Sequence, residues 1–336
     1  MQFVFSPIGH TTVPTVCGDR LIAGAWVDYA MCRFVAYHGP PIRLDELLYE
    51  PDHSLIKQST HARERTEPLN GDGWGVGWYD LDRASEPAVY RAVRPAWNDE
   101  NMRQISPLVE THLYFAHVRA ASPGLAVQQL NCHPFPGGQY ALGDATILDS
   151  LEHARQRLLF MHNGVLGGYR DVIRRLRTEL DDDHYFGIRG TTDSEHAFAV
   201  IQNALGRDVR EPSVSDLADA VRDGLGYLES LKRDLGRTDA TTWANFCLTD
   251  GKSIVATRYA SSGETPQSLY IGEAGSFESD GRFCSTPDPQ GDEATLIASE
   301  PLFDDDRVWR DVPPNHLVTV GPDGETAVEP LHLPTP

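Results

Sequence analysis

The chain has 336 residues, of which 40% are hydrophobic and 23% charged, an ordinary balance for a folded globular protein and a poor one for a disordered chain. With 49 acidic against 29 basic residues the net charge is −20. A surface that acidic repels phosphate backbones and anionic membranes, so neither nucleic acid nor a membrane is an expected partner.

Lys57, Lys232 and Lys252 are the only lysines, and acidic runs such as Asp181-Asp182-Asp183 and Asp304-Asp305-Asp306 fall where loops are expected. A carboxylate-rich surface suits concentrated salt, where repulsion is screened over about 3 Å at 1 M. The composition predicts a halophilic protein from an acidic proteome. Cys17, Cys32, Cys132, Cys247 and Cys284 are scattered and form no CxxC pair, which predicts no disulfide framework and a cytoplasmic setting. No apolar run approaches the roughly 20 residues of a membrane-spanning helix, and the amino-terminal segment lacks the pattern of a secretory signal.

Residues 1–31 are turn-rich and without periodicity, and are expected to lie outside the fold as a leader or a mis-assigned start; residues 32–336 are expected to form one domain. A strand begins at Cys32 and is stopped by Gly39-Pro40-Pro41. A short helix is predicted over 43–49, and 51–73 reads as loop. The aromatic period-2 run Trp74–Tyr79 predicts a strand packed closely at its glycines. Further strands are expected at 88–93, 113–119 and 157–162. Helices follow over 169–180, 193–205 and 214–235, the last with Gly224 and Gly226 as candidate interruptions. Strands return at 243–249, 253–259, 268–272, 295–298, 316–320 and 326–331. Segments 139–156 and 206–240 read as surface elaborations. Strands, then helices, then strands do not make the alternation of a doubly wound parallel sheet. The order suits a layered α+β sandwich of two mostly antiparallel sheets.

Five islands carry chemistry: Met31-Cys32; Asn70–Tyr79; His117-Val118-Arg119; Asn131-Cys132-His133-Pro134-Phe135 with His162-Asn163-Gly164; and Thr192-Asp193-Ser194-Glu195. Removal of Met31 would leave Cys32 with a free α-amine, whose pKa near 7.7–8.0 makes it a built-in base beside the thiol. Cys32 is otherwise a small buried strand residue. Asn163 and Gly164 can converge two N–H donors on one oxyanion, or simply form an Asn-Gly turn. Arg119 ends an apolar strand, where it grips a substrate carboxylate or forms a structural ion pair. Asp193 opens a helix, to hold an ammonium or to cap the helix, and local sequence favours the cap. His133 and His162 are candidate supporting groups, with a satisfied interior histidine as the plainer reading of His133. No HxxxH, HExxH or Cys/His ligand spacing is present, nor GxGxxG after a strand, nor GxxxxGK[ST], so neither a metal nor a nucleotide cofactor is expected.

Taken in order, Cys32, GDGWG (71–75), AHVR (116–119), NCHPF (131–135), HNG (162–164) and TTDSE (191–195) resemble the class II glutamine amidotransferases of the N-terminal-nucleophile hydrolase superfamily. The resemblance implies a four-layer α/β/β/α sandwich. It also implies that Cys32 is the nucleophile with its own amine as base, that Asn163 and Gly164 form the oxyanion hole, and that Arg119 and Asp193 bind the α-carboxylate and α-ammonium of a γ-glutamyl group. Gly73 would belong to a close-packed loop beside them. The implied reaction is cleavage of a γ-glutamyl amide through a cysteinyl thioester, without a cofactor. The family starts at its cysteine, so translation from Met31 or removal of a leader is expected here. The IASEPL tail (297–302) and the Cys32-Arg33-Phe34 start look like the stand-alone branch, which includes the ergothioneine-pathway γ-glutamyl amidohydrolase and the fungal glutathione-degrading amidohydrolase. Two other readings stay open: a glutaminase subunit that feeds ammonia to a separate synthase or amidohydrolase partner, and a non-catalytic γ-glutamyl-binding module.

Overall fold

A computed structural model describes residues 31–64, 69–121, 125–137, 157–206, 209, 211–274, 276–277, 283–284, 294–305 and 307–334, the side chains of 274, 276, 277, 283 and 284 excepted. The expectations about residues 1–30, the segment 139–156 and Cys17 lie outside these residues.

Two antiparallel sheets carry the fold. The strands of the first are β1 (Arg33–Arg43), β2 (Trp74–Trp78), β3 (Ala88–Ala92), β4 (Glu110–Val118), β9 (Tyr270–Ala274), β12 (Ala294–Ala298) and β13 (Trp309–Asp311). Their spatial order is β13-β9-β12-β1-β4-β2-β3. The second sheet holds β5 (Phe135–Pro136), β6 (Leu159–Val165), β7 (Trp243–Thr249), β8 (Ile254–Ala260), β14 (His316–Val320) and β15 (Thr326–Pro330), in the order β15-β14-β8-β7-β6-β5. A small separate ribbon pairs β10 (Ser276–Phe277) with β11 (Phe283–Cys284).

Alternation along the strands builds the layers. On β1, Phe34 and Ala36 join Leu113 and Phe115 of β4 in a core that meets Leu159, Met161, Cys247, Ile254 and Val318 of the other sheet. Their neighbours Val35, Tyr37, Tyr114 and Ala116 face the opposite way, against Leu47, Leu55, Ile56 and Met102 of the helices α1 (Asp45–Leu48), α2 (Leu55–His61) and α3 (Glu100–Ile105). On the second sheet, Phe160, Phe246 and Leu248 pack outward against α4 (Tyr169–Glu179), α6 (Asp193–Leu205) and α7 (Val214–Asp234). The short α5 (Asp182–Gly187) precedes α6. The result is helix on sheet on sheet on helix, the expected α+β sandwich, with apolar residues of period 2 filling both faces of every central strand.

Five expectations are corrected. Strand β1 is not stopped by Gly39-Pro40-Pro41; it continues to Arg43 across an irregularity between His38 and Ile42, where a bulge accommodates proline in a strand. Segment 51–73 contains α2, whose Ser54 side chain accepts from the Lys57 N–H at its N-terminus. The run Asp181-Asp182-Asp183 starts a helix, with Asp181 as its cap. Residues 206–240 are no surface elaboration, because α7 buries Leu217, Val221, Leu225, Leu228 and Leu231 in the core. Gly224 and Gly226 do not interrupt it. A β-carbon on Gly224 would lie 2.8 Å from Ile201 Cγ1 of α6, and one on Gly226 would lie 2.7 Å from Pro334 Cγ. These glycines set how closely α7 packs.

Candidate active site

The site begins where three neighbouring strands of the first sheet end together. Arg33 of β1 pairs with Val118 of β4, and Val118 also pairs with Trp74 of β2. One residue further out, the three chains bring Cys32, Arg119 and Gly73 side by side. The Cys32 thiol points at the Ala120 carbonyl oxygen at 3.7 Å. The Arg119 N–H donates to the Gly73 carbonyl at 2.8 Å, and the Asp72 N–H donates back to the Arg119 carbonyl at 3.0 Å.

Arg119 is 3% exposed. Its Nη1 donates to the Asp72 carbonyl at 3.2 Å, and among the described residues no carboxylate stands within ion-pair distance of it. The expected alternative of a structural ion pair is therefore not made with any described residue. A buried cation without a counter-charge is costly in the absence of an anionic ligand.

The segment Asn131–Phe135 lies against the same loop. A β-carbon on Gly73 would lie 2.5 Å from Cys132 Sγ. Burial pushes the Cys132 thiol up, against the opposing pull of the Arg119 and Arg91 guanidinium groups. Burial alone raises the Cys247 thiol well above its ordinary value. Cys32 is half-buried. Asn131 is the joint to the next island: its Oδ1 accepts from the Thr191 N–H at 2.9 Å, and its Nδ2 donates to the Ala126 carbonyl at 2.9 Å.

The second sheet meets this corner through histidines. His117 Nε2 lies 3.2 Å from the His162 carbonyl oxygen, which requires Nε2 to carry the proton. The His117 ring lies on that of His133 at 4.1 Å between centroids. Neither ring nitrogen of His133 has a hydrogen-bond partner among the described residues, so the expected satisfied interior histidine is not observed. Burial lowers His117 to about 3 and His133 well below its ordinary value, with the neighbouring cationic groups adding to the effect. His162 sits between the Trp243 carbonyl, 3.1 Å from Nε2, and the Ser194 hydroxyl, 2.9 Å from Nδ1. A neutral imidazole fits both, donating from Nε2 and accepting at Nδ1. Burial lowers His162 also, partly offset by the Asp193 carboxylate and the Trp243 carbonyl.

Asn163 and Gly164 do not form a turn. They lie within β6, paired with Asn245 and Ala244 of β7. Gly164 has φ +149°, and a β-carbon there would lie 2.0 Å from the Trp243 carbonyl oxygen, so only glycine lets the backbone approach so closely. Asn163 is fully buried, and neither its Oδ1 nor its Nδ2 has a partner among the described residues. Thr192, not Asp193, caps α6, through its side-chain oxygen and the Glu195 N–H. The half-buried Asp193 carboxylate instead accepts from the Leu166 N–H at 2.8 Å and the Ser194 N–H at 3.0 Å. It is thereby fixed at the end of β6, one residue pair beyond the Asn163-Gly164 step.

The motif residues thus converge through a chain of contacts: Cys32 to Ala120, Arg119 to Gly73, Gly73 to Cys132, His117 to His162, and His162 and Leu166 to the start of α6. A thiol, a buried guanidinium, an amide without a partner among the described residues and a fixed carboxylate have the chemistry to serve as nucleophile, anion site, neutral donor and cation site. Among the described residues no group of three or more His, Cys, Asp or Glu side chains could hold a metal ion.

A family model described as class-II glutamine amidotransferases matches residues 52–331. The chain belongs to the class II glutamine amidotransferases. It is 33% identical over 310 residues to the probable glutamine amidotransferase DUG3 of Saccharomyces cerevisiae, a match covering 86% of this chain and 82% of that one. It is 25% identical to the γ-glutamyl-hercynylcysteine sulfoxide hydrolase of Mycolicibacterium smegmatis, covering 90% and 100%. Among solved structures, a glutamine aminotransferase class-II domain protein of Silicibacter pomeroyi superposes with a TM-score of 0.57 at 24% identity, covering 89% of this chain and 98% of that one; it shows the shared fold. The chain is accordingly an enzyme of the glutamine amidotransferase type. Among the described residues no helix is long and apolar enough to cross a membrane.

The contacts of Arg33, His117 and Asn131 were not foreseen in the sequence. His117 and Asn131 lie inside the motif islands, which is the one signal that pointed to them. Arg33 and Glu300 carry the motif of the stand-alone branch, but their mutual contact spans 267 positions and is invisible in one dimension.

Proposed function

We propose that the protein hydrolyses a small γ-glutamyl amide, with Cys32 as an amino-terminal nucleophile. The observation that carries this reading is the buried Arg119 guanidinium, unpaired with any described carboxylate, on the residue next in register to Cys32. Arg119 supplies the counter-charge for a glutamyl α-carboxylate, and the fixed Asp193 carboxylate supplies one for the α-ammonium. Together they select the amino-acid end and leave the γ-carbonyl to the thiol. With Cys32 as the first residue, its amine takes the thiol proton and the sulfur forms a bond to the γ-carbonyl carbon. The oxyanion accepts from Asn163 Nδ2 and the Gly164 N–H, donors that are worth more in this dry site than in water. The carbon–nitrogen bond then breaks, and the leaving amine takes its proton from the Cys32 ammonium. Water, deprotonated by the same amine, cleaves the thioester and releases glutamate. Cys132 and Cys247 fit this role poorly, since burial raises both thiols.

This mechanism needs Cys32 at the amino terminus, so translation from Met31 or removal of residues 1–31 is part of the proposal. So are a cytoplasmic setting and adaptation to high salt, which the net charge of −20 supports. The mycobacterial relative is named for a γ-glutamyl sulfoxide substrate, which favours a sulfur-containing γ-glutamyl compound here. The yeast relative is named as an amidotransferase, which supports a second reading in which a partner subunit or synthase takes up the released nitrogen. Mass spectrometry of products from glutamine, γ-glutamylcysteine, glutathione and a γ-glutamyl sulfoxide, with and without Cys32→Ala, tests the proposal. Glutamate release that disappears in the variant is the expected result. Equal turnover by purified Cys32→Ala protein would remove the assignment, and an active protein whose amino terminus is still Met1 would remove the amine-base mechanism.

A further inference from the structure

Cys32 is followed by an arginine that does not face the site. Strand alternation sends Arg33 to the α2 side of the first sheet, where it is 1% exposed. Its Nε donates to Glu300 Oε1 at 2.6 Å, and its Nη1 donates to the Cys32 carbonyl oxygen at 2.9 Å. Glu300 is equally buried and lies just beyond β12. Its carboxylate collects three more groups: His53 Nε2 at 2.7 Å, the Arg63 N–H at 2.8 Å and the Glu64 N–H at 3.2 Å. The segment holding Glu300 is tied to β1 as well. The Ser299 N–H donates to the Phe34 carbonyl at 3.0 Å, and the Phe34 N–H donates to Ser299 Oγ at 3.1 Å.

We propose that Glu300 and Arg33 are positioning residues that clamp the peptide carbonyl of Cys32, and so aim its sulfur and nitrogen at the substrate. The inference rests on the reading of Cys32 as an amino-terminal nucleophile, and it adds how that residue is held. A first residue has one peptide bond, and chain ends fray unless something ties them down. The Cys32 carbonyl is the backbone group left to grip, and Arg33 grips it with a guanidinium that Glu300 prevents from turning. Stability alone is a weak reason for this arrangement. A buried ion pair gains little net free energy over an apolar replacement, and Arg33 Nη2 is left buried without a partner among the described residues. The clamp approaches Cys32 from the face opposite Arg119 and Asp193, so it touches nothing that binds the glutamyl group. Burial pushes the Glu300 carboxyl up, but the His53 bond and the Arg33 charge outweigh it and hold the group at about 2. Glu300 is therefore ionised throughout the physiological range.

The test compares the parent protein, Glu300→Gln and His53→Asn, each expressed from the full chain and its amino terminus read by intact mass. The amide of Glu300→Gln presents N–H where His53, Arg33 and two backbone N–H groups already donate. His53→Asn removes one of the four bonds and serves if Glu300→Gln does not fold. In steady-state kinetics on the best γ-glutamyl substrate, kcat is expected to fall about 10- to 100-fold in Glu300→Gln and several-fold in His53→Asn, the scale of a small misplacement of a reacting atom, with KM within a factor of two. Unchanged kcat in variants that are folded by circular dichroism overturns the proposal, whatever their melting temperatures, and so does a rise in KM that accounts for the whole loss. A second measurement needs no substrate: the rate of Cys32 alkylation by iodoacetamide from pH 6 to 9, read by peptide mass spectrometry. The clamp predicts that this pH–rate profile shifts in Glu300→Gln; superimposable profiles overturn it. Absence of turnover in the parent would count against the hydrolase reading alone, and the alkylation profiles would still decide the clamp.

Discussion

Gly73 and Cys132 meet so closely that a β-carbon on the glycine would lie 2.5 Å from the cysteine sulfur. The contact is made at φ +116°, a conformation that L-residues rarely adopt. The Gly73 carbonyl also accepts the Arg119 N–H at 2.8 Å, so this one residue joins Arg119 to the Asn131–Phe135 segment. Gly73→Ala is expected to lose about 2–5 kcal/mol, the sum of backbone strain and overpacking. Adding Cys132→Ala clears the sulfur but not the strain, so the double variant should recover only part of the loss. Chemical denaturation of the single and double variants measures both quantities. Full recovery would show that the φ value costs nothing.

Arg119 and Asp193 bear opposite charges, and the proposed function assigns them to opposite ends of one amino acid. Arg119→Lys keeps the charge but loses the planar fork that matches a carboxylate. An increase in KM of roughly 10- to 100-fold is expected, corresponding to the loss of a charge-assisted hydrogen bond, with a much smaller change in kcat. Asp193→Asn should also raise KM, and it should weaken the anchoring of α6 to Leu166. Steady-state kinetics on a γ-glutamyl substrate and on its analogue lacking the α-amine separate the two residues. The analogue should lose its sensitivity to Asp193→Asn and keep its sensitivity to Arg119→Lys.

The layered fold was legible because its signal is periodic. Strands such as Glu110–Val118 and Leu159–Val165 alternate between two buried faces, and that alternation survives in one dimension. What failed was local structure decided by distant partners. Helix α2 is seven residues long, and its Gln58, fully covered, is fixed by donating to the His53 carbonyl at 2.9 Å. No periodic stripe of that length separates it from a loop. Gly224 looked like an interruption of α7 because glycine is a poor helix former, whereas its purpose is set by Ile201 on another helix. For the Asn163-Gly164 pair a turn was one of two local readings, because Asn-Gly is a frequent turn pair. Its φ of +149° serves the Trp243 carbonyl across the strand pair, 79 positions downstream of Gly164 by sequence number, rather than a hairpin. The candidate site residues were picked out by order and chemical content. Their contacts, such as His117 with His162 or Arg33 with Glu300, required the fold.

Asn163 offers a test in which stability and activity part company. Both polar atoms of its amide are buried without a described partner, and each such atom costs about 1–3 kcal/mol relative to a satisfied one. Asn163→Ala removes that cost and leaves a small cavity, two effects of opposite sign and similar size. The melting temperature is therefore expected to stay within a few degrees of the parent's. Catalysis should fall about 10²- to 10³-fold in kcat, the usual cost of one oxyanion donor. Calorimetry and single-turnover kinetics on the same preparation check the pair of predictions. A variant that melts much lower while retaining kcat would make Asn163 a structural residue.

The buried histidines should make the protein acid-sensitive before its carboxylates do. In the folded state burial depresses His117 to about 3 and His196 to about 4, and it lowers His133 and His162 as well. In the unfolded chain these groups titrate near 6.5. Between those values the unfolded state binds protons that the folded state does not, so stability rises with pH across the window and falls as the pH drops below about 6.5. Each such histidine contributes a slope of about 1.4 kcal/mol per pH unit while only the unfolded form is protonated. Glu300 acts lower on the scale. Its folded carboxyl is held at about 2, so its contribution is complete above its ordinary value and is lost as the pH falls from there toward 2. Urea midpoints measured from pH 8 to pH 4 should begin to fall near pH 6.5. His117→Gln should flatten the upper part of that fall, because a group that cannot take up a proton when unfolded has no linkage to lose. A midpoint constant from pH 7 to pH 5 in the parent would mean that these imidazoles are reached by water in the folded state, and the dry donor environment proposed for the oxyanion site would go with them.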